Sequence, residues 1–374
     1  MAVFAVGMWA TVQMLESNFK PIWILIFCFI SGLATTTRMP AIILVMVVIG
    51  YLWVAFLLKD VCGDYYDLTL KKVIVLTISI LGLFYLFFVM LLPGLWEAPI
   101  KNTIEFFTEF SNLTDGQGVI VFMGEEIGEK GVPWYYIPIW LLISIPVWYI
   151  ICFVVSGLIA IWGIVNSVKK KQNTLSLLVV EQKYWLWSIL LAFIPWFGMA
   201  IMGSTLYNGW RHCYFLVAPL VLFSLFGIDW VVKKGSKYSR IILGLVIGIG
   251  MIVQTSWIGI NHPNEMVYFN NFGKYYAHNF DRDYWHLSEY QAWKYIAEHD
   301  DSDKISINSS ATNFFRLRLT EEELERVEFS DEPVYYIDTY RGRIGNNYQK
   351  DGYEEYHSIE VDGFKIATVF KKIN

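Results

Sequence analysis

The stretch Leu206-Tyr207-Asn208-Gly209-Trp210-Arg211-His212 separates two long apolar runs, Trp185–Ile201 and Tyr214–Ile228. With their flanks, both runs approach the ~20 helical residues that cross a bilayer. Arginine and histidine side by side between such runs add little stability, because a charge at membrane depth costs several kcal/mol unless paired or hydrated. The loop therefore reads as part of an anionic-ligand site at a membrane surface. The opposing reading is an interfacial aromatic belt with one arginine snorkelling to lipid headgroups.

The rest of the chain agrees with a membrane setting. Of 374 residues, 55% are hydrophobic and 17% charged, with 16 Trp and 23 Tyr to supply interfacial belts. Apolar runs at 2–15, 21–36, 41–58, 73–94, 136–166, 184–203, 213–231 and 241–259 predict about eight crossings. The run at 136–166 is long enough to tilt, with Pro138 and Pro146 as kink points.

Charge gives the orientation. Lys20, Lys59, Lys71, Lys72, Lys169, Lys170, Lys171, Lys183, Lys233, Lys234, Lys237 and Arg240 fall in one set of connections. Before residue 260, only Arg38, Lys101, Lys130 and Arg211 fall in the opposite set. By the positive-inside bias the first set is cytoplasmic, and the loops 37–40, 95–135 and 204–212 lie outside with the tail. The tail is different material: residues 261–374 carry 13 Lys+Arg against 21 Asp+Glu, whereas residues 1–260 carry 16 against 13. Neither part has the basic face that a nucleic-acid partner requires.

The expected architecture is mostly α. A transmembrane helical domain spans 1–260 with an outer loop at 95–135, and a small extracytoplasmic α/β domain spans 261–374. In the outer loop, Ile100, Ile104, Phe107 and Phe110 recur at helical spacing, which predicts a helix lying in the interface. In the tail, Ser288-x-x-Gln291 predicts a capping box opening a helix to about Glu298, and Thr320-x-x-Glu323 predicts a second. Lys304–Asn308 and Val334–Thr339 read as strands, and Tyr356–Val361 with Phe364–Phe370 reads as a hairpin turning at Asp362-Gly363. The cysteines Cys28, Cys62, Cys152 and Cys213 fit neither a metal site nor a disulfide framework.

Several residues suit chemistry. Arg38, at an outer turn, can grip a phosphate bidentately, as can Arg211, with His212 beside it for a second anionic or hydroxyl group. Tyr207, Asn208 and Trp210 suit a sugar, offering hydrogen bonds and an aromatic face. Tyr136, with Tyr135, could line a lipid pocket. Glu125 and Glu126 are weak candidates for a general base, since paired acids in a wet loop are more often simply solvated. Asp281-Arg282-Asp283-Tyr284-Trp285 suggests a carbohydrate or metal contact; the alternative is a packed lid whose acids pair with Arg282 or with loop amides. No metal site or cofactor motif is present, and a P-loop is absent, which argues against a nucleotide-driven pump.

Taken in order, these stretches resemble the bacterial glycosyltransferase family 39 proteins, which share the GT-C fold with protein O-mannosyltransferases and lipid A aminoarabinose transferases. The resemblance is carried by Gly32-Leu33-Ala34 with Arg38, by Pro133-Trp134-Tyr135-Tyr136-Ile137-Pro138 with Ile143-Ser144-Ile145-Pro146, and by Tyr207–His212 with Tyr214-Phe215. His262-Pro263, Tyr268-Phe269-Asn270 and Asp283-Tyr284-Trp285 complete it. It implies a multi-span enzyme of the bacterial inner membrane that takes a sugar from a polyprenyl-phosphate donor to a lipid, glycan or protein acceptor outside. Arg38, Arg211 and His212 would bind the donor phosphate. The family's catalytic carboxylate lies in a first outer loop that has no counterpart here, since Met1 opens directly into apolar sequence. A chain lacking that front is expected to be inactive alone. The competing expectations are a non-enzymatic membrane protein, such as a transporter or glycan-export partner, and a decayed remnant.

Overall fold

A computed structural model of the chain describes residues 1–62, 66–111, 119–128, 131–170, 178, 183–206 and 208–373. The helices begin with α1 (Ala2–Glu16), α2 (Pro21–Thr37), α3 (Ile43–Leu57), α4 (Lys59–Cys62), α5 (Leu70–Leu91) and α6 (Pro99–Ser111). They continue with α7 (Tyr136–Ser144), α8 (Val147–Lys169), α9 (Lys183–Met202), α10 (Val217–Lys234) and α11 (Lys237–Asn261). The tail adds α12 (Ser288–His299), α13 (Thr312–Arg316) and α14 (Glu321–Arg326). The strands are β1 (Val119–Phe122), β2 (Glu125–Gly128), β3 (Ile305–Ser309), β4 (Val327–Phe329), β5 (Tyr335–Thr339), β6 (Tyr353–Val361) and β7 (Phe364–Lys372).

Among the described residues, six helical segments are long and apolar enough to cross a membrane: Met39–Leu57, Leu70–Leu91, Val147–Lys169, Lys183–Ile201, Arg211–Lys234 and Lys237–Asn261. The two remaining expected spans, α1 and α2, are apolar but shorter, at 15 and 17 residues. The chain is thus a mostly helical membrane protein with six segments of spanning length and a small C-terminal sheet. The clearest sign of the membrane is α11: its apolar window has a mean hydropathy of 2.1, yet only 6% of it is buried by protein. Such an uncovered apolar helix needs a nonaqueous surround.

Two compact units divide the chain. The first holds Met1–Asp115, Trp148–Ser204 and His212–Gly244; the second holds Gly116–Val147, Thr205–Arg211 and Leu245–Asn374. The sequence suggested one boundary near residue 260, but the second unit recruits two earlier segments as well. Hydropathy cannot reveal that recruitment, because it comes from contacts between residues far apart in the chain, such as Trp140 with Phe269 and Phe280 and the Asp281 amide with the Val121 carbonyl.

In the first unit, helices meet through small residues. A Cβ on Gly227 of α10 would fall 1.9 Å from the Ser156 hydroxyl of α8, and one on Gly32 of α2 would lie 3.2 Å from the Phe88 amide of α5. Close backbone approach of this kind is how apolar helices associate where no water drives them together. At one end of α9, the buried Lys183 pairs with Glu16 at 3.4 Å.

The expected long helix at 136–166 is broken into α7, which belongs to the second unit, and α8, which from Trp148 onward belongs to the first. Pro138 sits in the first turn of α7, where its missing N–H costs nothing, so it introduces no break. Pro146 forces Ile145 into an extended conformation, and Asn270 secures the break. Its amide nitrogen donates to the Leu142 and Ile145 carbonyls at 2.6 and 2.7 Å, and its amide oxygen accepts from the Phe272 and Gly273 backbone, both at 3.0 Å. Gly273 admits no side chain, since a Cβ would lie 2.5 Å from the Ile143 carbonyl.

The tail sheet has the order β4-β3-β5-β7-β6, with β3 parallel to β4 and β5 and the other pairs antiparallel. Trp293, Ile296 and Ala292 of α12 pack on Ile307 and Ile337. The β6–β7 hairpin turns at Asp362 and Gly363, both at positive φ, as expected. Thr320 and Glu323 form the expected reciprocal capping box. Ser288 does not: Ser288 is the first residue of α12, and the Asp283 carboxylate caps the helix by accepting from the Leu287 and Ser288 amides at 2.9 and 2.7 Å.

Candidate functional site

Residues Asn208–Arg211 of the loop that opened the reading are held by the segment 281–285 and by α7, all within the second unit. Tyr207 lies outside the described residues. Asn208 is buried and donates its side-chain amide to the Asp281 carboxylate at 2.7 Å. Gly209 adopts a φ of +67°, and its carbonyl accepts the Tyr136 hydroxyl at 3.0 Å. Trp210 donates its indole N–H to the Ser144 hydroxyl at 2.7 Å.

Asn208 and Tyr136 therefore differ from the sugar- or lipid-contacting role expected of them. Both are buried with their polar atoms bonded to protein, so they shape the loop. What the loop presents is Arg211. Its guanidinium lies 4.9 Å from the Trp285 ring centre and 5.5 Å from that of Tyr284. Trp285 is 46% exposed, so part of this residue is open to solvent beside the cation. A guanidinium stacked on rings keeps its planar donor fork in one orientation, suited to a phosphate or carboxylate.

The scaffold beneath is polar and buried. Asp281 also accepts from the Gly342 amide at 2.9 Å, and its own amide donates to the Val121 carbonyl of β1 at 3.0 Å. Burial pushes the Asp281 carboxyl above its usual range, against the hydrogen bonds from Asn208 and the backbone. Arg282 is buried too, and among the described residues it makes no salt bridge to an acid. It donates to Asn346 at 2.6 Å and to the carbonyls of Lys365, Arg343 and Gly345 at 2.8, 3.2 and 2.5 Å, with its guanidinium 4.1 Å from the Tyr340 ring centre. Burial lowers the Arg282 pKa to about 10, which leaves it cationic at neutral pH. Of the two readings of Asp281–Asp283, the geometry is that of the packed lid, with both acids bonded to amides and Arg282 tying down the loop 343–346.

Below α12 lies a second buried cluster. His286 sits 2.6 Å from the Thr339 hydroxyl and 3.8 Å from Glu289. Burial lowers the His286 pKa to about 4 and raises that of Glu289 to about 7. Neither charge is favoured, so the contact is no ion pair at neutral pH. Glu289 accepts from the Ala311 amide at 3.2 Å with Ser309 close by, and its other carboxylate oxygen is buried without a hydrogen-bond partner among the described residues.

The remaining candidates are spread more widely. Glu125 and Glu126 are exposed on β2, in an antiparallel hairpin with β1 that was missed from sequence because Met123 holds a left-handed turn position, φ +56°, that gives no signal. Arg38 is exposed after α2, and His212 is half-buried; both belong to the first unit. Tyr284 and Trp285 were visible as a motif, but their pairing with Arg211 was not, since 73 or more positions separate them.

No protein-family model matches the chain. Neither a curated protein nor a solved structure matches it either.

Proposed function

We propose that the chain is a membrane glycosyltransferase that takes a sugar from a polyprenyl-phosphate donor at the outer membrane face. The observation that carries this reading is Arg211, a half-buried cation set against the rings of Tyr284 and Trp285. A cation beside an exposed indole suits a ligand with both a phosphate and a sugar face. The ordered resemblance to family 39 transferases supports the same chemistry. On this reading Arg211 binds the donor phosphate and Trp285 stacks on the sugar, with Arg38 and His212 as further donor contacts to test. The C-terminal unit faces outside, and no catalytic base is assigned.

The test is binding of a labelled polyprenyl-phosphate sugar by the full chain in proteoliposomes, with transfer to an acceptor measured alongside. Arg211→Ala is expected to weaken donor binding at least about a hundredfold, the scale of losing a charge-assisted phosphate contact. Donor binding that survives Arg211→Ala unchanged would overturn the site. Sugar uptake without new glycosidic bonds would instead support a transporter.

A further inference from the structure

Three helices of the first unit enclose a cavity of roughly 330 Å³. Ser156, Ala160 and Gly163 of α8 and Gly227 of α10 form its small-residue floor, and Trp162, Trp185 and Trp230 its walls. Tyr184, Asp229, Lys233 and Lys234 line its polar end. In α8, α9 and α10 that end coincides with the basic ends of the helices, at Lys169, Lys183 and Lys233-Lys234.

We propose that this cavity binds the phosphate-bearing headgroup of a membrane lipid in the leaflet at those basic ends. This rests on the chain being a membrane protein and is independent of the transferase assignment. The chemistry of the polar end points to the ligand. Lys233 is held by Asp229 at 2.8 Å, and Lys234 has no ion-pair partner among the described residues, so among these residues the polar end carries two lysines against one acid. A basic pocket between apolar helices at their cytoplasmic ends is the setting that takes an anionic lipid headgroup. Gly227 permits this form, because its contact with Ser156 brings the α8 and α10 backbones together beneath the cavity while the tryptophans hold the helices apart at its mouth.

The test measures lipids retained by the purified full chain, using native mass spectrometry with added phosphatidylglycerol, phosphatidylcholine or chain-free glycerol phosphate. The wild type is expected to retain phosphatidylglycerol roughly fivefold more strongly than phosphatidylcholine, and Lys234→Gln to bring the two together. Ala160→Phe, filling the floor, is expected to reduce retention of both. Lys234 is exposed, so its substitution leaves the fold intact and decides the matter alone if Ala160→Phe fails to fold. An unchanged lipid preference in Lys234→Gln would overturn the proposal. So would glycerol phosphate binding as tightly as the lipid, since the site would then serve a soluble phosphate.

Discussion

Asn208 and Asp281 meet side chain to side chain at 2.7 Å, bringing an inter-helix loop of the apolar region onto the acidic tail. Asp281 is buried, and Asn208 and the Gly342 amide are its donors. Asn208→Ala removes one of them and leaves a buried carboxylate oxygen unsatisfied, at a cost of about 1–3 kcal/mol. Asn208→Asp sets two buried acids together and is expected to destabilise more. Thermal unfolding of both variants in detergent checks the order; an Asp variant as stable as the Ala variant would show that Asp281 is already protonated.

Arg211 and Trp285 should be energetically coupled. A guanidinium 4.9 Å from an indole centre contributes about 0.5–2 kcal/mol, depending on how dry the contact is. A double-mutant cycle of Arg211→Gln and Trp285→Leu, read by thermal unfolding, is expected to return a coupling in that range. Arg211→Lys should not restore it fully, because an ammonium lacks the flat face that stacks on both rings. Zero coupling would mean that the ring merely lies near the cation.

Arg282 is expected to be the least replaceable charged residue of the tail. Four acceptors, at Asn346, Lys365, Arg343 and Gly345, depend on its fork. Arg282→Lys supplies donors from a single point and cannot span them. A loss of about 3 kcal/mol or more follows from orphaning several buried carbonyls. Limited proteolysis should then cleave the 343–346 segment early in Arg282→Lys and Arg282→Ala but not in wild type.

These contacts mark the limit of what the sequence discloses. Periodicity and turn chemistry are local, so six of the eight expected spans, α6, the Thr320 cap and the Asp362-Gly363 hairpin could be read directly. The break at Ile145-Pro146 was half legible: proline announced a kink, but Asn270, which satisfies the broken end, lies 125 positions away. The Ser288 box failed because a nearer competitor, Asp283, reaches the same amides with a charged acceptor. At the candidate site, the sequence offered residue types but not their surroundings. Asn208 and Tyr136 were chosen for their hydrogen-bonding groups, yet sequence cannot tell that burial commits those groups to protein. Arg211 kept its place as the presented cation.

The buried pair His286 and Glu289 predicts an unusual pH dependence. Glu289 titrates near 7 in the folded chain against an ordinary 4.5, so its contribution to stability is full below pH 4.5 and is lost as pH rises toward 7. His286 titrates near 4 against an ordinary 6.5, so its contribution is present above pH 6.5 and is lost as pH falls toward 4. Each effect amounts to about 3 kcal/mol, and between pH 4.5 and 6.5 they oppose one another. Asp283, Arg318 and Arg341 also face the pair, but burial is the largest cause of both shifts. Glu289→Gln keeps an oxygen to accept from Ala311 and removes the acid. The variant should therefore gain on wild type as pH rises from 4.5 to 8, by about 3 kcal/mol across the interval. Unfolding midpoints at four or five pH values would show it; a constant gap between variant and wild type would mean that Glu289 ionises normally and that its orphan oxygen is hydrated.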